Sequence, residues 1–221
     1  LDARLRATQQ LSEAVTDADV VLNVTPSQHV RRVLSDAAAQ IRADALVVSA
    51  SKGIETSSLK TMADVLIEAL PGQPGAHACF LSGPSFALEV AKERPTAVAM
   101  ASHDEASAAR AQQLFQAPYF RVYTNPDVIG VELGGALKNV IALAAGMATG
   151  LQLGHNALAA LITRGLAEIA RLGVALGADP ITLSGLAGMG DLILTCTGEL
   201  SRNRSVGVSL GQAKTIEEIL G

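Results

Sequence analysis

The chain has 221 residues, with 17 Lys and Arg against 21 Asp and Glu for a net charge of −4, enough for one large domain or two small ones. An apolar fraction of 49% with 17% charged residues lies far from the polar composition that keeps a chain disordered. The acidic balance, the absence of Trp and the 3% aromatic content supply neither a phosphate-binding face nor stacking platforms, so no nucleic-acid partner is expected.

Along the chain, the apolar run Val20-Val21-Leu22-Asn23-Val24 is followed by Thr25-Pro26-Ser27 and then by Val30, Val33, Leu34, Ala37 and Ala38 at helical spacing, which reads as a strand entering a helix. The unit recurs as Ala45-Leu46-Val47-Val48-Ser49, then Lys52-Gly53, then a helix over about residues 57–70 closed by Pro71-Gly72. Two consecutive strand-loop-helix units imply a parallel sheet. Residues 78–82 and 96–101 supply two more short strands and 104–116 a surface helix, so the chain reads as α/β over residues 1–124. Over 125–221 helical spacing takes over: Leu158, Leu161, Ile162, Leu166, Ile169, Leu172 and Leu176 fall on one stripe, with Arg164, Glu168 and Arg171 opposite. The apolar stretch 140–153 is broken by Gly146, Thr149, Gly150 and Gln152, short of the ~20 residues that span a bilayer. It reads as a buried helix, and no membrane insertion is expected. The start at Leu1-Asp2-Ala3-Arg4, without Met or a signal segment, gives the expectation that the chain begins inside a longer protein.

Several residues are candidates for chemistry. Lys52 ends a strand, where open α/β sheets border their ligand crevice, although a solvated turn lysine has the same sequence. Gly83-Pro84-Ser85 follows another strand and places Pro at a helix start, which suits either an anion or a plain cap. Lys138 and Asn139 lie in an apolar helix beside Gly134, Gly135 and Ala142. A desolvated lysine there would have its pKa lowered toward neutrality, as acid–base work on a carbonyl requires; the alternative is a lysine that snorkels to solvent. Asp191 follows Gly188-Met189-Gly190 and either orients a lysine or caps a helix. Ser201-Arg202-Asn203-Arg204 offers a hydroxyl, a planar fork and an amide, a set that suits a phosphate monoester. No G-x-G-x-x-G occurs; Gly188-Met189-Gly190 follows no strand and lacks the third glycine. Cys79, Cys196 and the four histidines have neither disulfide nor metal-ligand spacing, so no metal is expected and a reducing cytoplasm is the expected setting.

Taken together, Ser49-Ala50-Ser51-Lys52-Gly53, Ser82-Gly83-Pro84-Ser85-Phe86-Ala87 with Glu89-Val90, Glu132-Leu133-Gly134-Gly135-Ala136-Leu137-Lys138-Asn139, and Gly190-Asp191-Leu192 through Ser201-Arg202-Asn203-Arg204 resemble the bacterial NAD(P)-dependent glycerol-3-phosphate dehydrogenase family. The similarity covers essentially the whole chain, while the family's N-terminal G-x-G-x-x-G-like turn and a short C-terminal stretch have no counterpart in it. The resemblance implies a truncated Rossmann-like dinucleotide-binding domain (1–124) followed by an all-helical substrate domain (125–221), with the site in the cleft between them. It implies reversible reduction of dihydroxyacetone phosphate to sn-glycerol 3-phosphate with NADH or NADPH, which feeds glycerophospholipid synthesis. Carried over by motif position, Lys138 would donate the proton to the C2 oxygen and Lys52 would touch substrate and cofactor. Gly83 and Ser85 would contact substrate and Ala87 the dinucleotide, while Asp191, Ser201, Arg202 and Asn203 would line the glycerol phosphate site. Arg202 would also reach the dinucleotide, and the loop Asn23-Val24-Thr25-Pro26-Ser27-Gln28 resembles the family's cofactor-side loop. A homodimer is the assembly to consider. Two alternatives stay open: a related reductase of a hydroxyacid or ketopantoate type, which would have to recognise a carboxylate, and a non-catalytic binding remnant that lacks the phosphate-cradling turn.

Overall fold

The computed structural model describes residues 4–220; the outermost ends of the two expected domains, 1–3 and 221, lie outside the described residues. The elements run α1 Leu11–Val15, β1 Val20–Asn23, α2 Ser27–Ala37, β2 Leu46–Ser49, α3 Met62–Ala69, α4 Gln73–Ala76, β3 Cys79–Ser82, α5 Ala87–Ala91, β4 Thr96–Ala101, α6 Glu105–Phe115 and β5 Phe120–Asn125. There follow α7 Val128–Gly150, α8 Gly154–Ala175, α9 Pro180–Leu183, a π-helical turn Leu186–Gly190, α10 Asp191–Thr197, α11 Arg202–Gly211 and α12 Ile216–Leu220. A Rossmann-like α/β half is thus followed by a helical half, as the sequence indicates.

The five strands lie in the order β1-β2-β3-β4-β5. β1, β2 and β3 are parallel, with Asn23 opposite Ser49 and Ser49 opposite Phe80, so their carboxyl ends open on one edge. The two strand-loop-helix units read from the sequence do lie parallel, but further along the sheet β4 runs antiparallel to β3. The chain from Ser82 to Thr96 contains only the five-residue α5, too little helix to carry it back along the sheet, so it re-enters from the end it left. β5, parallel to β4, is a strand the sequence reading did not name. β2 is buried at every residue, as a strand covered on both faces must be. One face packs Val47 and Phe80 against Leu34, Val65 and Leu66, and the other packs Leu46, Val48 and Met100 against Ala111 and Val122.

Two helical expectations also need adjustment. The helix foreseen over 57–70 begins only at Met62, because 54–61 folds into a closed loop in which Ile54 bridges Thr61 and Leu59 takes a φ of +59°. On α8, Leu158, Leu161, Ile162, Leu166 and Ile169 pack inward, whereas Leu172 and Leu176 are about half exposed. In the last turn it is Gly173 that meets Leu183, at 2.6 Å from an added Cβ, and Leu172 and Leu176 point past that contact.

α7 is the spine of the helical half. Asp127 caps it by accepting the Gly130 N–H at 2.8 Å and also accepts the Asp179 N–H at 2.9 Å. By length and composition α7 could cross a membrane, but half of its apolar window is buried inside the protein, and it carries Glu132 and Lys138 toward the sheet. In the stretch read as a buried helix, Ala142, Ala145, Gly146 and Ala148 are buried, while Val140 and Met147 are exposed.

Candidate active site

The carboxyl ends of β1, β2 and β3 are wired together by small polar residues. Asn23 donates through Nδ2 to Ser49 Oγ and Ser51 Oγ, both at 3.1 Å, and accepts the Thr25 N–H at 3.2 Å. Ser51 Oγ donates to the Thr25 carbonyl at 2.5 Å. These bonds tie the loop after β1 to the loop that carries Lys52. After β3, Gly83 adopts a φ of +143°, and a Cβ there would stand 2.9 Å from Val98 Cα, so both conformation and space require glycine. The Gly83 carbonyl accepts from Lys52 Nζ at 3.3 Å and from Ser85 Oγ at 3.1 Å.

α7 and the π-helical turn complete the site. Gly188 and Gly134 are needed for close packing: a Cβ on Gly188 would lie 2.0 Å from the Leu183 carbonyl oxygen, and one on Gly134 would lie 2.5 Å from that of Ala187. The Gly-x-Gly turn therefore nests on α7. It delivers Asp191 as the first residue of α10. The two readings of Asp191 are resolved by its geometry. Its side chain makes no cap bond, Gly190 being the N-cap, and its carboxylate is shared between two lysines, with Lys138 Nζ 2.5 Å from Oδ1 and Lys52 Nζ 2.6 Å from Oδ2. Thr195 Oγ1 donates to the Asp191 carbonyl at 2.6 Å.

Lys138 does not snorkel: it is 8% exposed, and Asp191 is 2% exposed. Burial, reinforced by the positive charge of Lys52 and opposed by the carboxylate of Asp191, lowers the Lys138 ammonium to about 8. Two ammonium groups face one carboxylate, which leaves a net positive charge in a largely dry site, the sign that attracts a phosphate or stabilises a developing alkoxide. Ser82 is 3% exposed, and its hydroxyl has no hydrogen-bond partner in the protein. Cys196 is buried nearby, and burial pushes its thiol up to about 11, which keeps it protonated and inert.

Of the residues singled out from sequence, Lys52, Gly83, Ser85, Lys138 and Asp191 come together in one bonded cluster. Ala87 opens α5 two residues beyond Ser85 and is exposed. Ser201 is the N-cap of α11, its hydroxyl accepting the Arg204 N–H at 3.3 Å, and Arg202 and Asn203 are exposed in that helix's first turn. Among the described residues no hydrogen bond joins these three to the lysine–aspartate cluster. The Ser201 N–H donates to the Gly198 carbonyl at 3.2 Å, and Gly198 packs against Phe86 as Gly190 does against Pro84. Glu132 lies in the Glu132–Asn139 motif, and its sequence context alone assigns it no role. It accepts the Ala63 N–H with both carboxylate oxygens, at 3.0 and 3.1 Å, and burial raises it to about 7 against the hydrogen bonds it accepts. The available signal was a second charged residue on an otherwise apolar helix.

Known proteins match the chain over both of its halves. The family model described as the N-terminus of NAD-dependent glycerol-3-phosphate dehydrogenase matches residues 1–108, and that of its C-terminus matches 127–221. A glycerol-3-phosphate dehydrogenase [NAD(P)+] of Geobacter metallireducens is 60% identical over all 221 residues, and that of Myxococcus xanthus 53% over 220. The chain spans 66% of the length of either relative. The crystal structure of a glycerol-3-phosphate dehydrogenase from Coxiella burnetii superimposes with a TM-score of 0.93 at 39% identity, over 99% of this chain and 66% of that one. A ketopantoate reductase from Ralstonia eutropha reaches a TM-score of 0.53 at 16% identity, a likeness of fold alone. With both halves of the family matched in order along the chain, this protein belongs to the NAD-dependent glycerol-3-phosphate dehydrogenase family.

Proposed function

We propose that the protein reversibly reduces dihydroxyacetone phosphate to sn-glycerol 3-phosphate with NADH or NADPH, and that it supplies glycerophospholipid synthesis in the cytoplasm. The observation that carries this reading is the Lys52–Asp191–Lys138 cluster, two buried or partly buried ammonium groups on one carboxylate at the carboxyl edge of a dinucleotide-type sheet. Cys79 and Cys196 are free and buried, in keeping with a reducing compartment.

The residues present suit a dinucleotide on one side of the cluster. A mostly apolar groove of about 580 Å3, lined by Leu22, Val24, Ala50, Leu81, Ser85 and Ala87 among others, offers an apolar surface on which a ring could rest. Lys52, Ala87 and Arg202 are the residues that would hold the cofactor. When bound, the nicotinamide supplies the hydride that reduces a carbonyl to an alkoxide.

The protein's own part is to place the carbonyl and manage its proton. With a pKa of about 8, Lys138 is mostly protonated at neutral pH yet gives up its proton without a large penalty, as a general acid near its working pH should. It would donate that proton to the C2 oxygen as negative charge builds there, leaving a neutral amine and a hydroxyl. In the oxidation direction the same amine would take the proton back. Asp191 holds Lys138 in place and opposes the further fall in its pKa that Lys52 would impose. Asp191, Ser85 and the Gly83 backbone would line the substrate, with Ser201, Arg202 and Asn203 at the start of α11 taking the phosphate, where helix N–H groups and a guanidinium reinforce one another. Binding the phosphate away from the reacting carbon would keep the carbonyl in register with Lys138. A spectrophotometric assay of NADH and NADPH oxidation with dihydroxyacetone phosphate tests the reading. Turnover with that substrate supports it, and turnover of a 2-keto acid in its place would replace it with the hydroxyacid-reductase reading.

A further inference from the structure

Glu132, Gly135 and Lys138 stand three residues apart on α7, so that each neighbours the next on the helix surface. All three meet the segment around residues 52–63. At Lys138 the contact is the shared carboxylate of Asp191, which Lys52 grips from the other side. At Gly135 a Cβ would lie 3.3 Å from Lys52 Cδ and 2.7 Å from Ser82 Oγ, so the missing side chain lets the Lys52 stem lie against the helix. At Glu132 the two carboxylate oxygens accept the N–H of Ala63, the second residue of α3.

α3 depends on that bond. Its N-cap residue, Thr61, makes no side-chain cap bond, and first-turn N–H groups have no acceptor within their own helix. A carboxylate from α7 supplies the acceptor and also suits the positive end of the helix dipole. Between Lys52 and Ala63 the chain is braced as a unit. Ile54 bridges Thr61, the Glu55 N–H donates to the Lys60 carbonyl at 2.9 Å, and the Glu55 carboxylate accepts from Arg31 Nε at 2.9 Å. Ser58 Oγ also donates to that carboxylate. A braced loop fastened to α7 at Ala63 has its other end, Lys52, fixed along the same helix.

We propose that Glu132 is a positioning residue: by fastening the start of α3 to α7 it sets Lys52 at the level on α7 where Lys52 and Lys138 share Asp191. The proposal rests on the dehydrogenase reading only in taking the cluster to be where substrate binds. It assigns Glu132 no contact with substrate or cofactor.

The test compares the whole protein with Glu132→Ala, Glu132→Gln, Lys52→Ala and the double variant Glu132→Ala/Lys52→Ala. Amide hydrogen exchange is read over 51–63, and kcat and KM are measured with dihydroxyacetone phosphate. Glu132→Ala is expected to speed exchange over 51–63 while β2 and the second half of α7 stay protected. It should also lower kcat/KM by about ten- to a hundredfold, the effect of a small misplacement of a binding group. In the Lys52→Ala background the same substitution should change kcat/KM by less than about twofold, because its effect passes through Lys52. Glu132→Gln keeps a carbonyl acceptor and should recover most of the loss. An equal loss in both backgrounds, or unchanged exchange over 51–63, overturns the proposal. If Glu132→Ala does not fold, Glu132→Leu, which fills similar volume but accepts no hydrogen bond, takes its place in both backgrounds by the same criteria. Wild-type protein inactive on this substrate would count against the dehydrogenase reading, while the exchange measurement would still decide the role of Glu132.

Discussion

Lys138 and Asp191 lie 53 positions apart in the chain, and Lys138 Nζ stands 2.5 Å from Asp191 Oδ1 with the two side chains 10% and 3% exposed. The counter-ion of the buried lysine therefore comes from a different helix, and the π-helical turn Leu186–Gly190 is what brings it there. The same carboxylate binds Lys52, so removing it leaves two cations facing each other.

Asp191→Asn should lower the Lys138 pKa further below about 8, because Asp191 is the principal influence that raises it. For reduction, which needs the protonated amine, the alkaline fall in rate should move to lower pH. For oxidation, which needs the free amine, the rise in rate should move the same way. The pH profiles of both directions check this, and profiles that do not move would separate Asp191 from the proton step. Breaking a buried pair by removing one partner also costs about 3 to 5 kcal/mol of stability, readable by urea unfolding.

Gly134→Ala should damage the site from a distance. The new Cβ would stand 2.5 Å from the Ala187 carbonyl oxygen and 3.0 Å from Gly188 Cα, all backbone, which cannot turn aside. Overpacking of this kind costs about 1 to 3 kcal/mol. Because the displaced segment carries Asp191, kcat/KM should fall more than the melting temperature alone explains. Melting curves measured beside kinetics check this; a variant of normal activity would show that the π-helical turn can shift without moving Asp191.

Arg202→Ala should raise the KM for dihydroxyacetone phosphate about tenfold or more, since a hydrogen bond to a charged group is worth about 1.5 to 3 kcal/mol. Unphosphorylated dihydroxyacetone should hardly respond. Equal losses for both substrates would remove Arg202 from phosphate binding. Arg202 is exposed at the start of α11, so its loss should leave the fold intact.

Glu132 predicts a pH dependence of stability. Its pKa is raised from 4.5 to about 7 by burial, with the Asp64 charge adding to the rise and the Thr61, Ala63 and Met62 hydrogen bonds opposing it. A carboxyl whose folded pKa lies above its unfolded value contributes stability that is fully present below pH 4.5 and is lost as pH rises through about 7. The loss should be on the order of 1 to 3 kcal/mol. Glu132→Gln should remove this component, so urea unfolding from pH 5 to 8.5 should show a shallower decline in the variant. Parallel curves would place the titration elsewhere.

The sequence made the α/β-then-α order legible because two apolar runs ended in turn residues and were followed by helical spacing. It also indicated Lys52, Lys138 and Asp191 as separate candidates, each with a bland alternative. Nothing in the spacing could show that the three share one set of bonds, because Lys52 and Asp191 are 139 positions apart; that depends on Gly134 and Gly188 allowing backbone contact. The reversal of β4 was hidden for a similar reason, since the direction of a strand is set by the length of helix before it and not by its own residues. Phe120–Asn125 escaped notice because only Val122 is fully buried in it, which leaves a weak apolar pattern. Glu132 was obscured because its partner is a backbone N–H, which no side-chain pattern reveals.

Single-turnover reduction of dihydroxyacetone phosphate by wild type and Lys138→Ala tests most directly whether Lys138 gives and takes the proton. The variant's rate should fall by roughly 10²- to 10⁴-fold with a much smaller change in dinucleotide affinity. Lys138→Arg should not restore it, because a guanidinium with a pKa above about 12 cannot release its proton in this range. Near-normal turnover in Lys138→Ala would contradict the account, and another group would have to supply the proton.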